Sequence, residues 1–214
     1  MSQAREEILG RIRTALRDVP DHEAPGDVRV ERAYRRGSNE SAEALVARFV
    51  ERVADYRAEV ERVPGASLGE AVARACERHG ARRLVVPENV PAAARPEGLD
   101  LIPDDGLTHA ELDAVDGVIT GCAVAIADTG TIALDGAGDQ GRRALTLVPD
   151  LHVCIVPGSR IVASVPEATA RLSDAVTAQR PITLISGPSA TSDIELRRVE
   201  GVHGPRRLVV LVVE

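Results

Sequence analysis

Ser67-Leu68-Gly69-Glu70-Ala71-Val72-Ala73-Arg74-Ala75-Cys76-Glu77-Arg78-His79-Gly80 is followed, after Ala81-Arg82, by Arg83-Leu84-Val85-Val86-Pro87. Ser67 and Glu70 have the spacing of a capping box, which predicts a helix running to His79 and stopped by Gly80. The apolar run closed by Pro87 reads as a buried strand. A helix handed directly to a buried strand is the repeating unit of an α/β fold, and the pattern recurs along the chain. Upstream, residues 41–56 read as a helix with Leu45, Val46, Phe49, Val50 and Val53 facing inward. Residues 4–17 form an amphipathic helix on Ile8, Ile12 and Leu16. The polar stretch 20–40, broken by Pro20, Pro25 and Gly26, separates that helix from the body. The expected organisation is a helix and arm over 1–40 and an α/β domain over 41–214.

Downstream, a strand is expected near 99–102. Thr108 and Glu111 form a second capping box, opening a helix toward Val115. Residues 123–127 and 131–134 read as consecutive strands around a turn, 135–141 as a glycine-bearing loop and 142–147 as a helical turn. Then come a strand at 152–156, a helix over 166–178, a strand at 182–185, a short helix over 192–199 and a closing central strand at 207–213. Alternation of this kind predicts an α/β fold with an open, mostly parallel sheet flanked by helices.

Composition narrows the function. The chain has 214 residues, 44% of them hydrophobic, which suits one compact domain with an appendage. Phe49, Tyr34 and Tyr56 are its only aromatic residues, so the core is aliphatic, as parallel strands under helices require. Lysine is absent, which excludes a lysine Schiff base and a P-loop lysine. A net charge of −7 with interspersed signs and no stacking aromatics argues against a nucleic acid partner. No apolar run approaches the roughly 18 residues of a membrane span, and residues 1–7 lack a signal-peptide core, so a cytoplasmic protein without a transmembrane segment is expected. Cys76, Cys122 and Cys154 are odd in number and widely spaced, which argues against a disulfide framework. An iron–sulfur cluster normally takes four thiolates, so none is expected in this chain.

The polar residues gather at apparent strand ends. Ser186-Gly187-Pro188-Ser189 follows a strand, and its backbone N–H groups and hydroxyls suit an anion; the alternative is a plain turn with Ser192 or Asp193 as helix cap. Asp128-Thr129-Gly130-Thr131 is either a simple turn or a cradle for carboxylate or phosphate oxygens. Asp193 and Glu195 share a face only if extended, and otherwise diverge as solvated or capping acids. In Val202-His203-Gly204-Pro205 the glycine and proline fix the loop around a histidine. Cys122 is a buried small residue, or a thiolate nucleophile if His152 or His203 lies beside it. Cys76 with His79, or His152 with Cys154, offers only part of a metal site, so no metal is expected. The candidate catalytic residues are therefore Asp193 and His203. The candidate ligand-binding residues are Thr129, Gly130, Thr131, Ser186, Gly187, Pro188, Ser189, Glu195 and Gly204.

The chain resembles the LUD (lactate-utilisation) domain family, in its lactate utilisation protein C branch. The matching residues are Ala127-Asp128-Thr129-Gly130-Thr131-Ile132, Leu147-Val148-Pro149-Asp150-Leu151-His152, Ser186-Gly187-Pro188-Ser189 with Asp193-Ile194-Glu195, and Gly201-Val202-His203-Gly204-Pro205. Ile8, Arg11, Ile12 and Leu16 add to the resemblance. It implies a fold of the NagB/RpiA/CoA-transferase-like superfamily and a part in oxidising L-lactate to pyruvate beside iron–sulfur partner proteins. The clusters would then belong to those partners, and this chain would hold a small anionic ligand. Thr129, Thr131, Ser186 and Ser189 would grip carboxylate or phosphate oxygens; Asp193 or His203 would orient a hydroxyl or move a proton. Whether the chain itself does chemistry stays open, because this fold serves many reactions. One alternative is a stand-alone enzyme of the CoA-transferase or cycloligase kind, for which Glu195 and Glu200 are the nearby glutamates. The other is a non-catalytic interaction subunit working through residues 1–40.

Overall fold

A computed structural model describes residues 3–20, 22–24, 26–27, 30–191, 199–201 and 203–214. The chain divides into two units, Met1–Tyr34 and Arg35–Glu214. In the first, α1 (Gln3–Ala15) buries none of its residues, and Ile8, Ile12 and Leu16 are exposed.

The second unit begins with α2 (Ala42–Asp55), capped by Ser41, whose hydroxyl accepts from the Ala44 N–H. Then follow β1 (Glu59–Val63), α3 (Leu68–Arg78), β2 (Arg83–Val86), β3 (Asp100–Pro103), α4 (His109–Asp113) and β4 (Gly117–Thr120). Strands β1, β2, β3 and β4 join β7 (Leu151–Pro157) and β12 (Arg207–Val213) in a six-stranded sheet of order β1-β12-β7-β4-β2-β3. Every neighbouring pair in it is parallel. The central strands are apolar along their whole length because both faces are covered. On one face Val153, Ile155, Val209 and Leu211 pack against α3 through Val72, Ala75 and Cys76.

The opposite face, carrying Cys154, Val156, Val210 and Val212, meets α2 and a second sheet through Phe49, Ala125 and Ile132. That second sheet is built from β5 (Val124–Ile126), β6 (Thr131–Leu134), β8 (Ile161–Val162) and β9 (Thr183–Ile185), in the order β8-β5-β6-β9. Strand β5 is antiparallel to β6 and parallel to β8, and β9 runs antiparallel to β6. Its outer face packs on α5 (Val165–Arg171) through Ala168. Gly130, in the β5–β6 turn, allows a close approach: a Cβ there would lie 2.7 Å from the Arg52 backbone of α2. A short antiparallel pair, β10 (Ala190–Thr191) with β11 (Val199–Glu200), stands apart from both sheets.

The parallel sheet and its helices agree with the expected fold class, and the second sheet is an addition to it. Several local expectations are corrected. Ser67 makes no side-chain capping bond, because a 3-10 turn over Gly65–Ser67 runs straight into α3. The capping box at Thr108 and Glu111 is present. The helix read over 166–178 is two helices, α5 and α6 (Ser173–Thr177), divided where the Leu172 N–H shares the carbonyls of Ala168 and Thr169. Strand β1 was not expected, since Glu59, Glu61 and Arg62 sit on the sheet edge and form ion pairs with α3 and α2. Of the helix read over 192–199, residues 192–198 lie outside the described residues and Val199 begins β11.

Candidate functional site

Two loops and three strands enclose a cavity of about 240 Å³ beside the amino-terminal ends of β7 and β12. His152 and Leu208, the second residues of those strands, are register partners and form its floor. β9 and Ser186-Gly187-Pro188-Ser189 form one wall, and His203-Gly204-Pro205 the facing wall; Arg143 and Thr146 close the side. The walls are tied together by hydrogen bonds. The Ser189 N–H donates to the Pro205 carbonyl (2.8 Å), the Gly201 N–H to the Ser189 carbonyl (2.9 Å) and the His203 N–H to Ser189 Oγ (3.1 Å). Gly187 has φ +101°, and a Cβ on it would meet Tyr56 Cβ at 2.7 Å, so only glycine fits that turn.

Behind the wall a chain of hydroxyls links the second sheet to the cavity rim. Thr129 Oγ1 donates to Thr131 Oγ1 (2.8 Å), which lies 2.7 Å from Ser186 Oγ. Ser186, Gly187, Pro188, Ser189, His203 and Gly204 therefore share one cavity, and Thr131 supports it from behind. Thr129 instead lines a separate depression with Arg52, Asp55, Tyr56 and Asp128, and Gly130 serves helix packing. Asp193 and Glu195 lie outside the described residues.

His152 and Arg143 dominate the electrostatics. His152 is 1% exposed, and its Nε2 lies 2.8 Å from Thr120 Oγ1. Burial first, and then the nearby Arg143 charge, push its pKa down to about 4, so the ring is neutral at physiological pH. Arg143 donates through Nη1 to the Thr146 carbonyl (2.8 Å) and to Thr146 Oγ1 (3.1 Å). Among the described residues lining the cavity there is no Asp or Glu. The result is a small pocket with one cation, two imidazoles, several hydroxyls and an apolar floor.

No thiolate serves this site. Burial pushes Cys122 up to about 12 and Cys154 well above its usual value; burial, then the Asp116 charge, raises Cys76 to about 11. The buried-residue reading of Cys122 is the one the structure supports. Among the described residues no three His, Cys, Asp or Glu side chains converge to hold a metal ion. The motif reading missed Arg143, Thr146, Thr183 and Leu208, and treated His152 only as a partner for cysteine. One signal for His152 was present: it is the only charged or strongly polar side chain in the otherwise apolar strand Leu151–Pro157.

A helix-flanked parallel sheet with a polar pocket at the amino ends of two interior strands defines the class of the molecule. The LUD domain model matches residues 46–213, and the chain belongs to that family. A protein named lactate utilization protein C from Deinococcus radiodurans is 51% identical over 170 residues, covering 79% of this chain and 79% of that protein. The lactate utilization protein C of Bacillus subtilis is 35% identical over 99 residues, 44% of this chain and 41% of its own length. A crystal structure of a DUF162 family protein from Deinococcus radiodurans superimposes with a TM-score of 0.72 at 44% identity, covering 82% of this chain and 99% of that one.

Proposed function

We propose that this protein is a component of lactate utilisation and that its cavity binds a small carboxylate. The observation that carries the reading is Arg143 at the rim of a pocket with no acidic residue in its described lining, beside hydroxyls and a neutral imidazole. Such a site attracts an anion and gives its carboxylate charge-assisted hydrogen bonds. The apolar patch of Leu184, Ile185 and Leu208 suits a short hydrocarbon substituent. The names of the relatives support lactate as the metabolic context. On this reading lactate is oxidised to pyruvate together with iron–sulfur partner proteins, whose clusters accept the electrons. Three buried cysteines do not supply the four thiolates such a cluster normally takes.

Thermal unfolding with lactate, pyruvate, acetate and phosphate tests the pocket. A ligand at about 100 times its dissociation constant should raise the midpoint by roughly 5–10 °C. Arg143→Ala should abolish that shift for every carboxylate. Absence of a shift with all of them in the unaltered protein would overturn the proposal.

A further inference from the structure

Helix α1 lacks the cover that an amphipathic helix needs. It has 13 residues and buries none of them. A helix of that length is marginal in water by itself, and packing of its apolar face normally supplies the missing stability. Ile8, Ile12 and Leu16 follow one another at four-residue spacing, so they share a face, and all three are exposed. Leu16 continues the helical pattern, its N–H donating to the Ile12 carbonyl at 3.0 Å.

The charges beside that stripe say what covers it. Glu7 and Arg11 flank one side and pair with each other at 2.7 Å. Glu6 and Arg13 flank the other side; they are nearly two whole turns apart, so they occupy the same edge. Neither has an ion-pair partner among the described residues. Glu6 lies in the first turn of α1 and Arg13 in the last. When a second α1 lies antiparallel on the stripe, Glu6 of each copy faces Arg13 of the other, and two-fold symmetry forms that pair twice. A parallel pairing would set Glu6 against Glu6 and Arg13 against Arg13. The antiparallel arrangement also places opposed macrodipoles side by side.

We infer that α1 is a self-association surface: its face of Ile8, Ile12 and Leu16 packs antiparallel on the same face of a second copy of the chain, joined by reciprocal pairs of Glu6 with Arg13. Two helices about 20 Å long bury less than the roughly 1,200 Å² of a standard interface, so the dimer is weak, with a Kd of about 10 µM to 1 mM.

Analytical ultracentrifugation of the full chain at increasing concentration tests this. The average mass should rise from one chain toward two across that range. Each single reversal, Glu6→Arg or Arg13→Glu, replaces two attractive contacts with two repulsive ones and should raise Kd roughly fivefold or more at low salt. The double variant E6R/R13E should return to within about twofold of the unaltered chain. Ile12→Asp should stay monomeric throughout while its melting curve keeps the unaltered midpoint. An unaltered chain that remains a monomer at about 1 mM would overturn the inference, as would a dimer that survives Ile12→Asp. Single reversals without effect, or a double variant as weak as the singles, would overturn the antiparallel arrangement.

Discussion

The two ends of the parallel sheet are built on opposite plans. Open α/β sheets usually take ligands at the carboxyl ends of their strands, where the connections diverge to either side. Here that point lies between β2 and β4, and the loop 135–141 fills it. The Gly121 N–H donates to the Asp139 carbonyl, and a Cβ on Gly121 would fall on the Asp139 carboxylate. Arg160 bonds Asp139 Oδ2 at 3.0 Å and the Cys122 carbonyl, Arg180 pairs with Asp135 at 2.7 Å, and Arg142 holds Asp104. Asp104, Asp135 and Asp139 at this end are each matched by an arginine of the chain. At the amino ends of β7 and β12, Arg143 has no carboxylate partner among the described residues, and a cavity stands open beside it. The difference separates two signals: a topological rule locates a crevice, while an unpaired charge marks the cavity proposed above to bind an anion.

The largest expected effect separates the two ends by pH. The native state refuses a proton at His152 that the unfolded chain accepts. Stability contributed there is therefore complete above the ordinary histidine pKa of about 6.5 and is lost as pH falls toward 4, by about 3 kcal/mol. At the other end, burial raises the Asp135 pKa, but the bond from Arg180 and its other hydrogen bonds outweigh it and hold the carboxyl below its usual value. That contribution is present above the ordinary aspartate range and lost only as pH falls below it. Urea unfolding of the unaltered protein and His152→Asn from pH 7 to 4 should show the first loss in the former alone; equal slopes would break the distinction.

Asp139→Ala should cost about 2 kcal/mol, because it strands the partly buried Arg160, yet leave carboxylate affinity unchanged. A changed affinity would show that the ends are coupled. Gly187→Ala should cost about 1–2 kcal/mol through its positive φ and its contact with Tyr56, and should weaken ligand binding by moving the cavity wall. Leu184→Ser, at a side chain 63% exposed, should alter stability by less than about 0.5 kcal/mol, as a melting curve would show.

Much of the frame was legible in the sequence because the central strands and α3 carry continuous or strictly periodic apolar residues. β1 was hidden by its own charges: an edge strand needs apolar residues on fewer sides, and Glu61 with Arg74 satisfies the rest through an ion pair. The site was half legible. Glycines and hydroxyls at strand ends marked the walls at Ser186–Ser189 and His203–Gly204. The floor and the cation were not marked, because Arg143 and His152 reach the cavity only through long-range packing, with no local pattern around either.

The pairing of β1 with β12 has a consequence for synthesis. Glu59 lies opposite Val209, so an early strand of the sheet waits for the last one. At roughly 5–20 residues per second, about 8–30 s separate the translation of these partners. For that interval β1 has no strand to join, and once β7 is made its β12-facing edge stays open as well. The nascent chain is then a natural client for chaperones, and ribosome pausing before β12 should lengthen its exposure to aggregation.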